Sequence, residues 1–236
     1  INELPLGHNT KQPINSHGIR YSHLFFSKRN LYTLSYFNKL IKEYSFPKKY
    51  LFTSILTSIG RMYKFRKGGG GQPAGNNLYI PSLNREQNPL NPLKRKFNQI
   101  IKSEAEICTF SGKKTLVSAQ SSTDLSNIPK NSIDYMFVDP PFGANIMYSE
   151  LNFLAESWFK VFTNNKEEAI MNKTQHKQLA EYKDLMTNSF KEFFRILKPN
   201  RWITVEFHNS KASVWKTIQE SIINSGFIIA QVSILD

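Results

Sequence analysis

The stretch that decides the fold is NSIDYMFVDPPF, residues 131–142. Its apolar run, Ile133–Val138, is rich in aromatic and β-branched side chains and predicts a buried strand. Asn131 precedes the run, and Asp139-Pro140-Pro141 ends it, because a proline has no N–H for the next ladder hydrogen bond. In an open α/β sheet, ligands bind just beyond the carboxyl ends of the strands. The sequence therefore predicts a strand that delivers Asp139 to a ligand-binding edge.

Helices and strands alternate around this strand. Apolar residues recur at three- and four-residue spacing in three segments, which predicts helices over Ser149–Phe162, Gln178–Leu197 and Ser213–Asn224. Short apolar runs predict further strands over Thr115–Ala119, Trp202–Phe207 and Phe227–Leu235. Because strands and helices alternate at this spacing, residues 103–236 are predicted to form an α/β domain with an open sheet.

The first half of the chain has a different organisation. Residues 1–27 show no sustained period and are predicted to be an extended arm. Apolar stripes predict two helices, Lys28–Tyr44 and Lys48–Phe65, which form a hairpin. Glycine and asparagine predict a flexible linker over residues 66–77, and prolines predict an irregular connector over residues 78–98. Residues 1–102 are thus predicted to be a basic, mainly helical region.

Net charge separates the two halves of the chain. Of the overall +13, residues 1–102 contribute 17 Lys and Arg against 3 acids, whereas residues 103–236 hold 14 against 15. A strongly basic region is typical of proteins that bind nucleic acid, although a solvated basic surface gives the same count. Tyrosines are interleaved with the cations and suit stacked bases. The predicted nucleic-acid contacts are Arg20, Lys28, Arg29, Lys48, Lys49, Arg61, Lys64, Arg66 and Lys67.

The remaining composition excludes several classes of protein. An apolar share of 40% over 236 residues is enough for a core, which excludes wholesale disorder. The single cysteine, Cys108, excludes a disulfide framework and fits a reducing compartment. No apolar window approaches about 18 residues, and no N-terminal segment has the pattern of a signal peptide. We therefore expect a cytoplasmic protein without membrane contact. His8, His17 and His23 lack ligand spacing, so no metal site is predicted.

The tetrapeptide Asp139-Pro140-Pro141-Phe142 carries the predicted chemistry. The prolines fix the backbone and leave two acceptors, the Asp139 carboxylate and the Pro140 carbonyl, beside the ring of Phe142. Two such acceptors fit the two protons of an exocyclic amino group on a planar base, on which the ring stacks. Holding both protons draws the nitrogen lone pair out of conjugation, toward an electrophilic methyl group. The alternative is a structural turn in which Asp139 caps the strand end and the prolines stiffen it.

These segments resemble a known family. Ser132–Gly143, with Tyr148-Ser149-Glu150-Leu151 after it, resembles the catalytic segment of the N6-adenine/N4-cytosine DNA methyltransferases, and more closely the bacterial DNA methylases of restriction-modification systems. Phe194–Pro199 and Trp202–His208 resemble the helix and strand that follow in this family. The resemblance implies a Rossmann-like, S-adenosylmethionine-dependent fold, of which this chain holds a part. It also implies catalytic roles for Asp139, Pro140, Pro141 and Phe142 in DNA methylation at adenine N6 or cytosine N4, on a base flipped out of the duplex.

The resemblance has consequences for cofactor and partners as well. Ser121–Asp124 resembles the stretch that approaches the adenine of S-adenosylmethionine, which implies cofactor contacts by Ser122, Thr123 and Asp124. DNA, and other parts of the same methylase or restriction-modification subunits, are the implied partners. The family's glycine-rich cofactor loop has no counterpart here, since Gly68–Gly71 follows a basic helix end and is predicted to be a linker. That loop is expected upstream of Ile1 or downstream of Asp236, or it has been lost.

Two alternative functions fit the same residues. D-P-P-F also occurs in RNA methyltransferases that act on guanine N2, so RNA is an alternative substrate. The missing cofactor loop favours a non-catalytic, DNA-binding subunit with a methylase-like sheet. Methylation at carbon 5 of cytosine is disfavoured, because that chemistry needs a cysteine nucleophile and Cys108 has neither a preceding proline nor a histidine partner.

Overall fold

Helices make up most of the amino-terminal part of the chain. The computed structural model describes residues 2–41, 46–68, 78–107 and 115–233. Within them, helices span Lys11–His17 (α1), Lys28–Ile41 (α2), Phe46–Ile59 (α3) and Leu90–Ile107 (α4), and Ser22–Phe25 is a 3-10 turn. These elements form one compact unit, Ile1–Leu116 together with Ser149–Thr163.

The predicted helical hairpin is present, with a shorter second helix. Helices α2 and α3 pack against each other through Phe37 and Phe52, whose ring centroids are 5.9 Å apart. Helix α3 ends at Ile59 rather than Phe65, because Gly60 follows and the chain turns into an extended ribbon. In this ribbon the backbone N–H of Phe65 donates to the Leu83 carbonyl at 3.0 Å, and that of Arg85 donates to the Tyr63 carbonyl at 2.8 Å.

Two predictions of irregular structure in this half are wrong. Residues 1–27 contain α1 and the 3-10 turn, and Leu4, Ile19, Phe25 and Phe26 enter the core without any helical period. The predicted connector 78–98 already contains the first turns of α4. Its Pro92 lies in the first turn, where a missing N–H removes no intrahelical hydrogen bond.

The structure does not describe Cys108 or most of the predicted linker. Residues 69–77 and Cys108 belong to the parts of the chain that the structure does not describe, while residues 66–68 are exposed. No helix among the described residues combines the length and the apolar character that crossing a lipid bilayer requires.

The second unit is α/β, and its sheet is built around the predicted central strand. It comprises Val117–Tyr148 with Asn164–Asp236. Strand β1, Ile133–Val138, pairs in parallel with β2, Leu197–Val205. Helix α5, Tyr148–Phe159, follows β1 and packs in the core of the first unit through Leu154. Helix α6, Leu179–Ile196, leads into β2, and α7, Ala212–Asn224, follows it.

One face of this sheet is covered and the other is open. The side chains of Val138, Ile203 and Val205 pack on a core formed by α6 and α7. On the opposite face, Tyr135, Phe137 and Trp202 are 55%, 60% and 66% exposed. This alternation is the period of two that a strand imposes on its side chains.

Strand β2 begins earlier than predicted and contains an irregularity. Leu197 pairs with Ile133, but the next paired residue on β2 is Trp202, which lies opposite Tyr135. The residues between them include Pro199, which has no N–H, and Asn200, whose φ of 59° is left-handed. Regular pairing therefore starts at Trp202, where the sequence predicted the strand to begin.

Two predicted strands are absent from the described part of the chain. Thr115–Ala119 has no strand partner, and its Leu116 is 93% exposed. Residues 227–233 of the predicted terminal strand are also unpaired, and residues 234–235 lie outside the description. Both predictions rested on strand propensity, but a strand also needs an edge to pair with. Among the described residues the sheet has two strands, β1 and β2.

The two units also divide the chain differently from the predicted boundary after residue 102. Residues 103–116 and most of α5 belong to the first unit, although the sequence grouped them with the α/β part. The core of the first unit explains why α5 joins it. Trp158 of α5 packs edge-on against Phe52, with ring centroids 5.3 Å apart.

Candidate active site

The predicted turn lies at the carboxyl end of β1, and its acid is accessible. Asp139 directly follows β1 and is exposed. It accepts no hydrogen bond and forms no ion pair with any residue that the structure describes. Val138, the residue before it, packs against the core formed by α6 and α7. The Asp139 carboxylate is therefore accessible to solvent at the edge where an open α/β sheet binds ligands.

The two proline carbonyls of the turn have different environments. The carbonyl of Pro141 accepts a hydrogen bond from the Tyr182 hydroxyl at 2.7 Å and one from the Gly143 N–H at 3.0 Å. Pro140 is buried, and its carbonyl accepts no hydrogen bond within the described residues. A backbone carbonyl without a protein partner can accept a hydrogen bond from a ligand or from water. The role of the Pro140 carbonyl as an acceptor for the substrate remains a prediction.

A rigid support lies behind the turn. Tyr182 of α6 is fully buried, and burial raises the pKa of its phenol, so the hydroxyl remains a proton donor. Gly143 has a φ of 70°, and a Cβ there would lie 3.4 Å from both Asn209 Nδ2 and Val214 Cγ1. Its carbonyl also accepts from the Met171 N–H at 3.0 Å. Glycine is favoured here by its left-handed backbone conformation, whereas a Cβ would find ordinary contact distances.

The ring of Phe142 is fixed by neighbouring aromatic side chains. It packs edge-on against Phe207, with centroids 5.3 Å apart, and Phe207 packs in the same way against Trp215 at 5.1 Å. Asn209 joins the group, since its Nδ2 donates to the Phe142 carbonyl at 2.9 Å and its own carbonyl accepts from Trp215 Nε1 at 2.7 Å. Phe142 is half-buried. Residues that follow β2 thus hold the ring and the backbone carbonyl of Phe142.

Tyr148 lies in the same electrostatic environment as Asp139. Partial burial raises the pKa of its phenol, and the negative charges of Asp139 and Glu168 raise it further. The hydroxyl is therefore a neutral donor at physiological pH. Glu150, two residues later, is buried in the first unit, where Oε2 accepts from the Asn9 N–H at 2.8 Å.

The predicted cofactor residues are located elsewhere in the second unit. The Leu125 N–H donates to Glu192 Oε2 at 2.9 Å, and Arg195 Nη2 donates to the Leu125 carbonyl at 2.7 Å. These bonds hold Ser122, Thr123 and Asp124 beside the last turns of α6. Asp124 accepts from the Ser126 N–H, and this hydrogen bond, more than the nearby Arg195 charge, lowers the pKa of its carboxyl.

The predicted catalytic residues and the predicted cofactor residues therefore lie at different edges of the sheet. Helix α6 ends where β2 begins, so Ser122–Asp124 lie near the amino edge of the sheet, whereas Asp139 lies at the carboxyl edge. A strand of six residues separates these edges by roughly 20 Å. The predicted contact of Ser122–Asp124 with a cofactor remains a prediction.

The predicted nucleic-acid residues all belong to the first unit. This unit holds 20 Lys and Arg against 7 acids, a net charge of +13, whereas the second unit holds 11 of each. Lys48 is in α3, and its side chain is outside the described part. The other eight are exposed: Arg20, Lys28, Arg29, Lys49, Arg61, Lys64, Arg66 and Lys67. The first unit therefore carries the whole net charge of the chain.

The site residues that sequence reasoning missed support the turn. Tyr182 falls on the apolar stripe of its helix and gives no signal beyond a core position. Asn209 and Phe207 lie just beyond β2, and only the predicted parallel pairing indicates that they approach β1. Among the described residues, no group of three or more His, Cys, Asp or Glu side chains is arranged to hold a metal ion.

Comparisons of the chain with protein-family models, with curated proteins and with solved structures found no match.

Proposed function

We propose that this protein is part of an S-adenosylmethionine-dependent DNA amino-methyltransferase that acts on adenine N6 or cytosine N4. The observation that carries the proposal is the turn after β1. Its exposed carboxylate, on Asp139, has no partner among the described residues, and the buried Tyr182 hydroxyl and the Asn209 amide hold the backbone of the turn. A turn that only capped the strand would use Asp139 for a local hydrogen bond, as Asp124 does with Ser126.

In the proposed reaction, the turn acts by positioning the amino group of the target base. The Asp139 carboxylate and the Pro140 carbonyl accept the two N–H protons of the target amino group and orient its lone pair. S-adenosylmethionine, the co-substrate, supplies a methyl group on a sulfonium. The nitrogen lone pair forms the new N–C bond while the C–S bond breaks and sulfur keeps that electron pair. The methylated nitrogen then loses one proton, and the Asp139 carboxylate is the nearest acceptor for it.

The substrate base reaches this turn only after it leaves the helix stack. An amino group inside a duplex is paired and out of reach, so the base is flipped and rests on the Phe142 ring. Contacts of Phe142 with Phe207 and Asn209 support this role, because they fix the ring before the base arrives. The basic first unit binds the phosphates of the same DNA.

The fold is proposed to be Rossmann-like. The parallel pair β1–β2, with α6 and α7 packed on one face, supports this assignment. The ligand edge of such a sheet is the edge at which Asp139 lies.

Product identification tests the proposal. The full-length protein is incubated with methyl-labelled S-adenosylmethionine and either duplex DNA or structured RNA, and the modified nucleosides are identified by mass spectrometry. We expect N6-methyladenine or N4-methylcytosine in DNA, and none from the Asp139→Ala variant. N2-methylguanine in RNA would instead establish the RNA alternative, and 5-methylcytosine would contradict the role of Asp139.

A second candidate function is a DNA-binding subunit without catalysis. The position of Ser122–Asp124 near the opposite edge of the sheet favours it, because a methyl donor held there is far from Asp139. Calorimetry separates the two candidates. We expect weak or no binding of S-adenosylmethionine to residues 1–236 alone and clear binding to the full-length protein. Absence of binding to both would favour the non-catalytic subunit.

A further inference from the structure

A small basic cleft lies at the end of α3 in the first unit. It has a volume of about 200 Å³ and is bordered by the α3 terminus and by the extended ribbon that follows. The Arg61 N–H donates to the Phe25 carbonyl at 2.7 Å, and Lys64 and Asn84 form an antiparallel bridge, so the backbone around the cleft is fixed. The lining residues are Ser27, Ile59, Gly60, Arg61, Asn84, Arg85 and Glu86.

The guanidinium groups at the cleft differ in whether they are neutralised. Glu86 forms an ion pair with Arg29 at 3.2 Å and accepts a hydrogen bond from Ser27. Neither Arg61 nor Arg85 pairs with a carboxylate among the described residues. The Arg85 guanidinium lies 6.0 Å from the centroid of the Tyr63 ring, which orders it without reducing its charge. Within the described residues, the two arginines that line the cleft are thus not paired with an acid, whereas the lining acid, Glu86, is paired with Arg29 and Ser27.

Size and chemistry limit what this cleft binds. Pockets for molecules the size of a nucleotide or drug usually measure about 300–1,000 Å³, so a whole nucleotide does not fit. A single phosphate group does, and guanidinium groups bind its oxygens in pairs of parallel hydrogen bonds. The surrounding unit carries a net charge of +13, which attracts a polyanion rather than a small anion alone.

We propose that Arg61 and Arg85 form a binding site for one phosphate of the DNA backbone. The proposal rests on the proposed function, because that function makes DNA the polyanion. It assigns a role to Arg85, which the sequence did not single out, and it removes Arg29 from the direct contacts, because Glu86 neutralises it. Arg61 and Arg85 then fix the position of the first unit on DNA, independently of the sequence of bases.

Salt-dependent DNA binding tests the site. Fluorescence anisotropy with a labelled duplex, without methyl donor, gives the slope of log affinity against log salt for the full-length protein. Arg61→Ala and Arg85→Ala each disrupt the same single-phosphate site, so each is expected to reduce this slope by up to about 0.9, the value for one lost phosphate contact. Lys39→Ala is the matched control. It removes an exposed charge of the same unit, about 15 Å along α2 from Arg29, and should leave the slope nearly unchanged.

Further variants separate geometry from charge. Arg61→Lys and Arg85→Lys keep the charge but lose the paired hydrogen bonds, so they should weaken binding while the slope is retained. Glu86→Gln removes the acid and releases Arg29, and should tighten binding. Slopes for Arg61→Ala and Arg85→Ala equal to that of Lys39→Ala would overturn the proposal.

The binding assay keeps this proposal distinct from the proposed function. Methyl transfer is not part of the assay, so a reduced slope in the arginine variants of a protein that does not methylate DNA still supports the phosphate site. Inorganic phosphate should displace DNA no better than chloride at matched ionic strength. Strong displacement by phosphate that Arg61→Ala abolishes would identify a pocket for free phosphate and refute the DNA contact.

Discussion

Removing one hydroxyl group from Tyr182 tests whether the turn after β1 is held from the core. In Tyr182→Phe the buried ring is unchanged, and the 2.7 Å hydrogen bond to the Pro141 carbonyl is lost. That carbonyl keeps the Gly143 N–H at 3.0 Å, so no acceptor is left entirely unpaired. The expected cost is therefore that of one buried hydrogen bond, about 1 kcal/mol in the free energy of unfolding.

Tyr135→Phe is the matched control for this prediction. The Tyr135 hydroxyl donates to Thr204 Oγ1 at the same distance, 2.7 Å, but the side chain is 55% exposed. Water replaces the lost partner there, so we expect a change within about 0.5 kcal/mol. Urea unfolding of both variants, followed by tryptophan fluorescence, measures the difference. Equal stability of the two variants would refute the view that Tyr182 holds the turn.

The remaining predictions concern two glycines with positive φ, the loop that Arg195 holds, and the response of stability to pH. Gly143→Ala and Gly18→Ala should each lose about 1–2 kcal/mol of stability, because φ is 70° and 63°, but only Gly143→Ala should also slow methyl transfer. Arg195→Ala should accelerate amide hydrogen exchange in residues 121–131 and leave the interior of β1 protected, because the Arg195 side chain donates to two carbonyls of that loop. The free energy of unfolding should fall as pH rises through about 10. Tyr182 ionises there in the unfolded chain, whereas its raised pKa keeps it neutral in the native protein. In alkaline urea titrations, Tyr182→Phe should show a smaller fall.

The elements predicted well from sequence are those with strong local signals. Strand β1 coincides with its apolar run, and α6 and α7 lie within a residue or two of the predicted bounds. Helix α4 was not predicted because the prolines of residues 78–98 favour an irregular connector, although proline is compatible with the first turn of a helix. The strand predictions failed at residues 115–119 and 227–233, because local propensity does not report whether a neighbouring strand edge is free.

The candidate site was predictable in part. The position of Asp139 at a strand end follows from the run of residues around it. The support from Tyr182 does not, because that residue is 41 positions away from the carbonyl it binds. The position of Ser122–Asp124 depends on the hydrogen bonds that Leu125 forms with Glu192 and Arg195, which are 67 and 70 residues further along the chain. Such contacts have no signature in a single sequence.

The most direct test of the central claim compares two aspartates of the same strand region. Asp134→Ala removes an exposed carboxylate, paired with Lys198 at 2.9 Å, from the start of β1, and Asp139→Ala removes the free carboxylate after its end. The measurement is the single-turnover rate of methyl transfer to DNA in the full-length protein, at saturating methyl donor. We predict that Asp139→Ala slows transfer by at least ~100-fold, with DNA affinity unchanged, and that Asp134→Ala transfers at the wild-type rate. An Asp139→Ala protein that methylates DNA as fast as Asp134→Ala would contradict the account.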